Sequence, residues 1–365
     1  MAILDILVEA LRPVHVCAGV GVYVAWKVVH ALYLSPLRNV PGPFLSRISW
    51  LPMRFNDVYG TEPEFMVRHY EKYGSIFVME PNKVAVCDPH DCMMILGTHA
   101  FRKENIYERV DFMEPNIFLT TDPELNRHRR RQIGPALNLR SLLHMEPTIL
   151  AAGAGQLVAK WGQAITDAGA AGKARICYFD DLLLMAFDVM ASLNFGQAHR
   201  SLTTGDRKIV NWVRQSFSLM FLQMVVPIFK RQPLKLLVGS ISSQVDQFFA
   251  FGMEAIETRK RLLERGGEKP KDILQSFLDA EDPESKIRMT PSQVVTETIL
   301  ALTAGADTSS LTLSWTIHLL LLNPEHLQRA AKEVRDAFAA DHIITYEEAK
   351  KSLPYLEACL YESMR

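Results

Sequence analysis

The sequence predicts a mainly α-helical protein with a small β-sheet and an N-terminal transmembrane helix. Three observations carry this. Residues 14–34 are apolar apart from His15, Lys27 and His30. Residues 291–322 form one uninterrupted helical pattern. A single pair of short β-rich runs, Ser75–Met79 and Lys83–Cys87, is the only clear strand signal.

The apolar run comes first. As a helix, Val14–Leu34 spans roughly 30 Å, about one bilayer core. Asp5, Glu9 and Arg12 precede it, and Arg38, Arg47 and Arg54 follow. The basic flank puts the following chain in the cytoplasm. Lys27 must snorkel to the interface. The competing reading is a buried amphipathic helix. The organisation expected is a lumenal segment at 1–13, an anchor at 14–34, a proline-rich hinge at 35–46 and a helical domain at 47–365. Pro41-Gly42-Pro43 makes the hinge stiff, because proline fixes φ and cannot continue a helix. The strand pair follows, with Glu80-Pro81-Asn82 as its turn.

The long helix opens on a capping box. Thr290 and Gln293 are its two members, and Pro291 takes the first helical position. Asn323-Pro324 ends it. At ~1.5 Å per residue it is roughly 48 Å long, enough to cross a whole domain. A second membrane span competes, but Asp307 at the centre and many Ser and Thr residues oppose it. A second box, Thr345 with Glu348, opens a short helix, and Pro354 starts the final one.

Composition excludes several functions. Of 365 residues, 48% are hydrophobic and 22% charged, with net charge −1. No global field draws nucleic acid or an acidic partner. The five cysteines, Cys17, Cys87, Cys92, Cys177 and Cys359, form no Cys-x-x-Cys pair. An odd, scattered set fits neither a disulfide framework nor a zinc site.

Chemistry concentrates in the middle of the long helix, at Ala304-Gly305-Ala306-Asp307-Thr308. Glycine costs a helix interior about 1 kcal/mol relative to alanine, and Asp and Thr are also poor formers. Ala304 and Gly305 suggest a groove where a flat ligand meets the backbone, with Asp307 and Thr308 beside it. The alternative is helix–helix packing at small residues.

These five residues resemble the central-helix motif of the cytochrome P-450 family. Glu362-Ser363-Met364-Arg365 is similar to the family's later Glu-any-any-Arg pair, in the right order. Alone that pair is common on helices. The anchor and Pro41-Gly42-Pro43 resemble the microsomal, endoplasmic-reticulum members. Leu32-Tyr33-Leu34-Ser35-Pro36-Leu37 is similar to enzymes of filamentous fungi. Gly134-Pro135-Ala136-Leu137-Asn138 resembles the family's Ser-Pro-Ala-Phe-Ser. That match implies Arg130 as the arginine on a heme propionate, a carboxylate its planar fork suits. It puts Asn126 where the family usually has Trp or His; Asn donates a hydrogen bond but cannot stack. The alternative for Arg127, Arg129, Arg130 and Arg131 is a basic surface toward anionic lipid.

The resemblance implies a heme monooxygenase acting on a small lipophilic substrate, in fungal secondary metabolism. It implies an NADPH-dependent reductase and a membrane as partners. Thr308 and Asp307 become the catalytic residues, one bonding the reacting oxygen and the other relaying protons. Ala304 and Gly305 line the cofactor, and Glu362 and Arg365 are structural. Phe217–Phe229 is a candidate roof for the substrate pocket, or simply core.

The family's axial ligand is a cysteine thiolate in a Gly-containing loop after Phe, downstream of the Glu-any-any-Arg helix. None of the five cysteines has that setting. The expectation is therefore a chain truncated before its ligand, without bound heme, and inactive. The alternatives are an active enzyme with an incomplete gene model, and a membrane-tethered binding protein without catalysis.

Overall fold

A computed structural model describes residues 13–98, 100–110, 113–169, 173–196, 199–226, 229 and 234–365. The lumenal segment expected at 1–13 lies outside the described residues, apart from Pro13. So do residues 227–228 of the apolar Phe217–Phe229 run and residues 170–172 ahead of Cys177. Backbone contacts divide the chain into two compact units, Met1–Lys103 and Glu104–Arg365.

The first unit begins with α1 (Pro13–Val29), which runs on through a π-helical turn, His30–Leu34. Its side chains are mostly exposed, and Cys17–Leu34 is long and apolar enough to cross a membrane. Lys27 places its ammonium over the Tyr23 ring, 5.7 Å from the centroid. Then come α2 (Phe44–Ile48), α3 (Leu51–Tyr59) and α4 (Glu62–Tyr73). The hinge at 35–46 is thus already helical from Phe44. Strands β1 (Ile76–Glu80) and β2 (Lys83–Val86) pair antiparallel, with Phe77 opposite Ala85. Helix α5 (Pro89–Leu96) closes the unit, its N-terminus capped by the Asp88 carboxylate. Met53, Phe65, Phe77 and Ala85 form a small core.

The second unit is helical. In order it has α6 (Pro123–Ile133), α7 (Leu139–His144), α8 (Glu146–Ala152), α9 (Ala154–Asp167), α10 (Tyr178–Phe195) and α11 (Ser201–Thr204). Next are α12 (Lys208–Val225), α13 (Gly239–Glu264), α14 (Ile273–Asp279) and α15 (Pro291–Leu322). Helices α16 (Pro324–Ala337), α17 (Tyr346–Ser352) and α18 (Pro354–Met364) finish it. The architecture is mainly α with one two-stranded sheet among the described residues.

Helix α15 organises this unit. Its capping box is complete: Gln293 N–H donates to Thr290 Oγ1 at 3.3 Å, and Thr290 N–H donates to Gln293 Oε1 at 3.0 Å. Val294, Val295, Ile299, Leu302 and Ala306 are buried against the main core. Helices α10 and α13 supply most of that contact. The approach to α13 is close: a Cβ on Gly252 would sit 2.6 Å from Val295 Cγ1. The polar centre does not break the helix. Thr308, Thr312 and Thr316 hydroxyls donate to the carbonyls of Ala304, Thr308 and Thr312, and Ser310 donates to Asp307. These four hydroxyls are satisfied by their own helix, so a run of poor formers stays helical.

Candidate active site

At about 100° per residue, Glu297, Ala304, Thr308, Leu311 and Trp315 share one face of α15. The buried residues Leu302, Ala306 and Ser310 lie elsewhere around it. The shared face changes character along its length. Glu297 is only 2% exposed, whereas Ala304 and Thr308 are open to solvent. Leu311 and Trp315 continue the open stripe at 44% and 52%.

Helix α6 meets the buried end of this face. Arg129 Nε lies 3.3 Å from Glu297 Oε1, and both side chains are buried. The same carboxylate oxygen accepts Ile117 N–H at 3.0 Å. Burial lowers the Arg129 pKa from its ordinary value, and the Glu297 and Glu114 carboxylates pull it back up. A buried charge of this kind is costly unless paired, so the pair fixes how α6 lies on α15.

The neighbours of Arg129 set the rotation of α6. His128 and Arg131 both bond the Asp282 carboxylate, Arg131 Nη2 at 2.9 Å. Asp282 is fully buried and also accepts Glu284 and Ser285 N–H. The Arg131 hydrogen bond, then His128 and the backbone, hold its pKa far below the carboxylate range against desolvation. Gln132 donates to Ile287 carbonyl at 2.9 Å. Arg127 pairs with Glu124 on the surface at 2.9 Å.

Arg130 remains. Its Nε donates to Asn126 Oδ1 at 2.9 Å, and Asn126 Nδ2 donates to Ile117 carbonyl at 2.9 Å. Among the described residues it is the one arginine of the four with no carboxylate partner. Its outer guanidinium nitrogens face solvent, ready for an anion. The chain thus brings Asn126 and Arg130 together directly, and ties their helix to the face that presents Ala304 and Thr308 two to three turns further on.

Not every expected residue joins this face. Gly305 turns toward α10, where a Cβ would lie 2.5 Å from Met190 Cε and 2.7 Å from its Sδ. The room it leaves is taken by Met190. The groove expected at Ala304 and Gly305 is therefore opened by Ala304, while Gly305 serves helix packing. Asp307 is half-buried and sits to the side of Thr308. Glu362 and Arg365 make a two-toothed ion pair on the surface, at 2.9 and 2.5 Å. The arginine hydrogen bond lowers the Glu362 pKa. The residue beside them, Ser363, bonds Thr316 of α15 at 2.6 Å.

Glu297 and Asp282 are the residues that sequence reasoning missed. Glu297 had a signal: a carboxylate within Val-Val-Thr-Glu-Thr-Ile-Leu must find a partner once buried. In this unit Cys177 takes the N-cap position of α10, and Cys359 lies in α18 against a crevice of about 350 Å³ lined by Thr316, Leu319 and Tyr355. All five thiols are free.

The residues present fit a heme edge and its distal side. A small open helix face suits a flat ring, and Arg130 suits a carboxylate. Residues 41–365 match the family described as Cytochrome P450. The chain is 39% identical to the cytochrome P450 monooxygenase helB3 of Aspergillus fumigatus, over 95% of this chain and 68% of that protein. It is 37% identical to helB1 of the same fungus, over 93% of this chain and 59% of the relative. To the monooxygenase LUC2 of a Fusarium species it is 26% identical, over 91% of this chain and 64% of the relative. The matched region takes in α6, α15 and α18, and with it every residue of the site: this chain belongs to the cytochrome P450 family.

Proposed function

We propose that the protein is a heme-dependent monooxygenase of a small lipophilic substrate, working in fungal secondary metabolism. The observation that supports this reading is the buried Arg129–Glu297 pair, which ties the helix of a carboxylate-free Arg130 to the face of α15 that carries Ala304 and Thr308. Heme, when bound, supplies the redox and oxygen chemistry. Arg130, steadied by Asn126, would hold a propionate, and Ala304 would leave room for the ring beside α15. Thr308 Oγ1 donates to Ala304 carbonyl at 2.6 Å. To donate to a reacting oxygen it must release that bond, a swing costing about 1 kcal/mol. Asp307, one residue back and half-buried, would return a proton from solvent to that hydroxyl.

None of the five cysteines is proposed as the axial ligand. Cys359 sits within α18, whose N–H groups bond along the helix, Cys177 is exposed at the head of α10, and Cys17 lies in the proposed span. The functional test uses the enzyme carrying its thiolate. In microsomes with reductase, a lipophilic substrate panel should yield a product that requires both NADPH and dioxygen and is lost under carbon monoxide. Product formed without either one would reject the reading. A tethered, non-catalytic binding role would give substrate binding without NADPH-dependent product.

We also propose a single span near Cys17–Leu34, in the endoplasmic reticulum, with the residues after Pro41 in the cytoplasm. Arg38 and Arg47, which follow the span, motivate this orientation. Protease added to sealed microsomes should digest the later residues. Their protection until detergent is added would reverse the topology.

A further inference from the structure

A cavity of about 660 Å³ opens between α8, α10 and the turn that leads into α14. Its size is that of a small-molecule site, roughly 300–1,000 Å³. None of its lining residues belongs to α6 or α15, so it is separate from the candidate active site.

Its buried wall and its rim differ in charge. Asp188, Ser192 and Asp272 form the buried wall, at 4%, 7% and 3% exposed. Both carboxylates are already engaged. Asp188 accepts Ser201 N–H at 2.8 Å and Leu202 N–H at 2.9 Å, and Asp272 is held by Arg259. Ser192 differs, because its buried Oγ has no partner among the described residues. A buried hydroxyl is unfavourable in that state unless a further group bonds it.

The exposed rim carries Arg200 and Lys271. Neither has a carboxylate partner among the described residues. The acids that follow Lys271, Asp272 and Asp279, are taken by Arg259 and Lys269. The unspent charge at the mouth is therefore positive. Arg200 is also fixed in place. Its backbone is left-handed, at φ 55° and ψ 29°, a conformation that strains an arginine and that asparagine tolerates. The N–H and Oγ1 groups of Thr203 and Thr204 all donate to Arg200 carbonyl, at 2.9–3.1 Å, and lock that turn. A strained arginine, held by its own turn at the rim of a cavity, points to a use for its side chain.

We propose that this cavity binds a phosphate monoester of a small organic molecule. Arg200 and Lys271 share the phosphate, whose charge of about −1.5 to −2 at pH 7 matches two cations better than a single carboxylate does. The organic body lies against the small apolar surfaces of Pro147 and Ala151, and a polar atom of it bonds Ser192 Oγ.

Phenyl phosphate is the probe, titrated by calorimetry into the full-length protein in neutral detergent at low salt. Binding should be saturable. Arg200→Asn and Lys271→Gln should each weaken it on the order of tenfold, the worth of one charge-assisted bond. Asparagine accepts the left-handed turn, so Arg200→Asn keeps the fold, and a melt no lower than wild type verifies this. Lys332→Gln on α16, whose ammonium is spent on Asp336, should bind as wild type does. Absence of saturable binding, or equal affinity in wild type and Arg200→Asn, overturns the proposal. Equal weakening in Lys332→Gln marks surface charge alone and also overturns it. So does a loss seen in Arg130→Ala but not in Arg200→Asn, which puts the anion at the other arginine. Benzoate bound as tightly as phenyl phosphate rejects the phosphate as the recognised group.

Discussion

Thr308→Ala is expected to leave heme content and substrate affinity nearly unchanged while product per NADPH falls on the order of tenfold. The hydroxyl is on the open face of α15, and its single bond in the resting protein is to Ala304 carbonyl. Removing it leaves no buried polar group unsatisfied and alters the pocket volume little. On the proposed role, what would be lost is one hydrogen bond to oxygen as negative charge develops there. Such bonds are worth about 1.5–3 kcal/mol, and 1.4 kcal/mol is a factor of ten. Protonation then goes astray and reduced oxygen escapes as peroxide. Asp307→Asn should behave differently, slowing the proton-dependent step, because an amide does not relay a proton at neutral pH. Oxygen uptake, peroxide and product measured together separate the two. Intact coupling in Thr308→Ala would return Ala304–Thr308 to a packing role.

Arg259→Ala is expected to have the largest effect on stability. Arg259 on α13 is 6% exposed and Asp272 3% exposed. They form a two-toothed pair, Nη1 to Oδ1 at 3.0 Å and Nη2 to Oδ2 at 2.5 Å. Arg259 also donates to Phe195 carbonyl at the end of α10, and Asp272 caps α14 through Gln275 N–H at 2.8 Å. One ion pair therefore fastens three helices. Gly196, at φ +68°, lets the α10 terminus come this close, since a Cβ there would meet Asp272 Oδ2 at 2.6 Å. Removing one partner strands a buried charge and costs about 3–5 kcal/mol, out of net stabilities of about 5–15. At ~2–4 °C per kcal/mol, the melt should drop by roughly 6–20 °C. The Arg259→Ala, Asp272→Ala double variant should cost less than the sum of the singles. An unchanged melt in Arg259→Ala would show the pair to be dispensable.

The elements legible in sequence were those set by local signals. The bounds of α15 follow from Thr290, Pro291 and Asn323-Pro324, and the second capping box at Thr345 and Glu348 also forms. There the backbone, side chain and His342 bonds hold Glu348 at a pKa of about 2. The strands differ from expectation by one residue at their edges, because Glu80 pairs with Lys83 and leaves Pro81-Asn82 as the turn. What stayed hidden depends on distant partners. Which way Gly305 faces is decided by Met190 on α10, and a glycine carries no side chain to announce it. Arg129 and Arg131 are taken by Glu297 and Asp282, far along the chain. Local pattern gives the cluster and the Arg127–Glu124 pair, and only the fold removes the other two.

The central claim is that Arg130 and the open face of α15 form the seat of the heme. It is tested most directly by heme release from the holoenzyme to apomyoglobin. Arg130→Ala should release heme faster, on the order of tenfold, the worth of one charge-assisted bond. Arg127→Ala, whose guanidinium is already spent on Glu124, should match wild type. Equal release from wild type and Arg130→Ala would contradict the account and leave Arg130 an ordinary surface arginine.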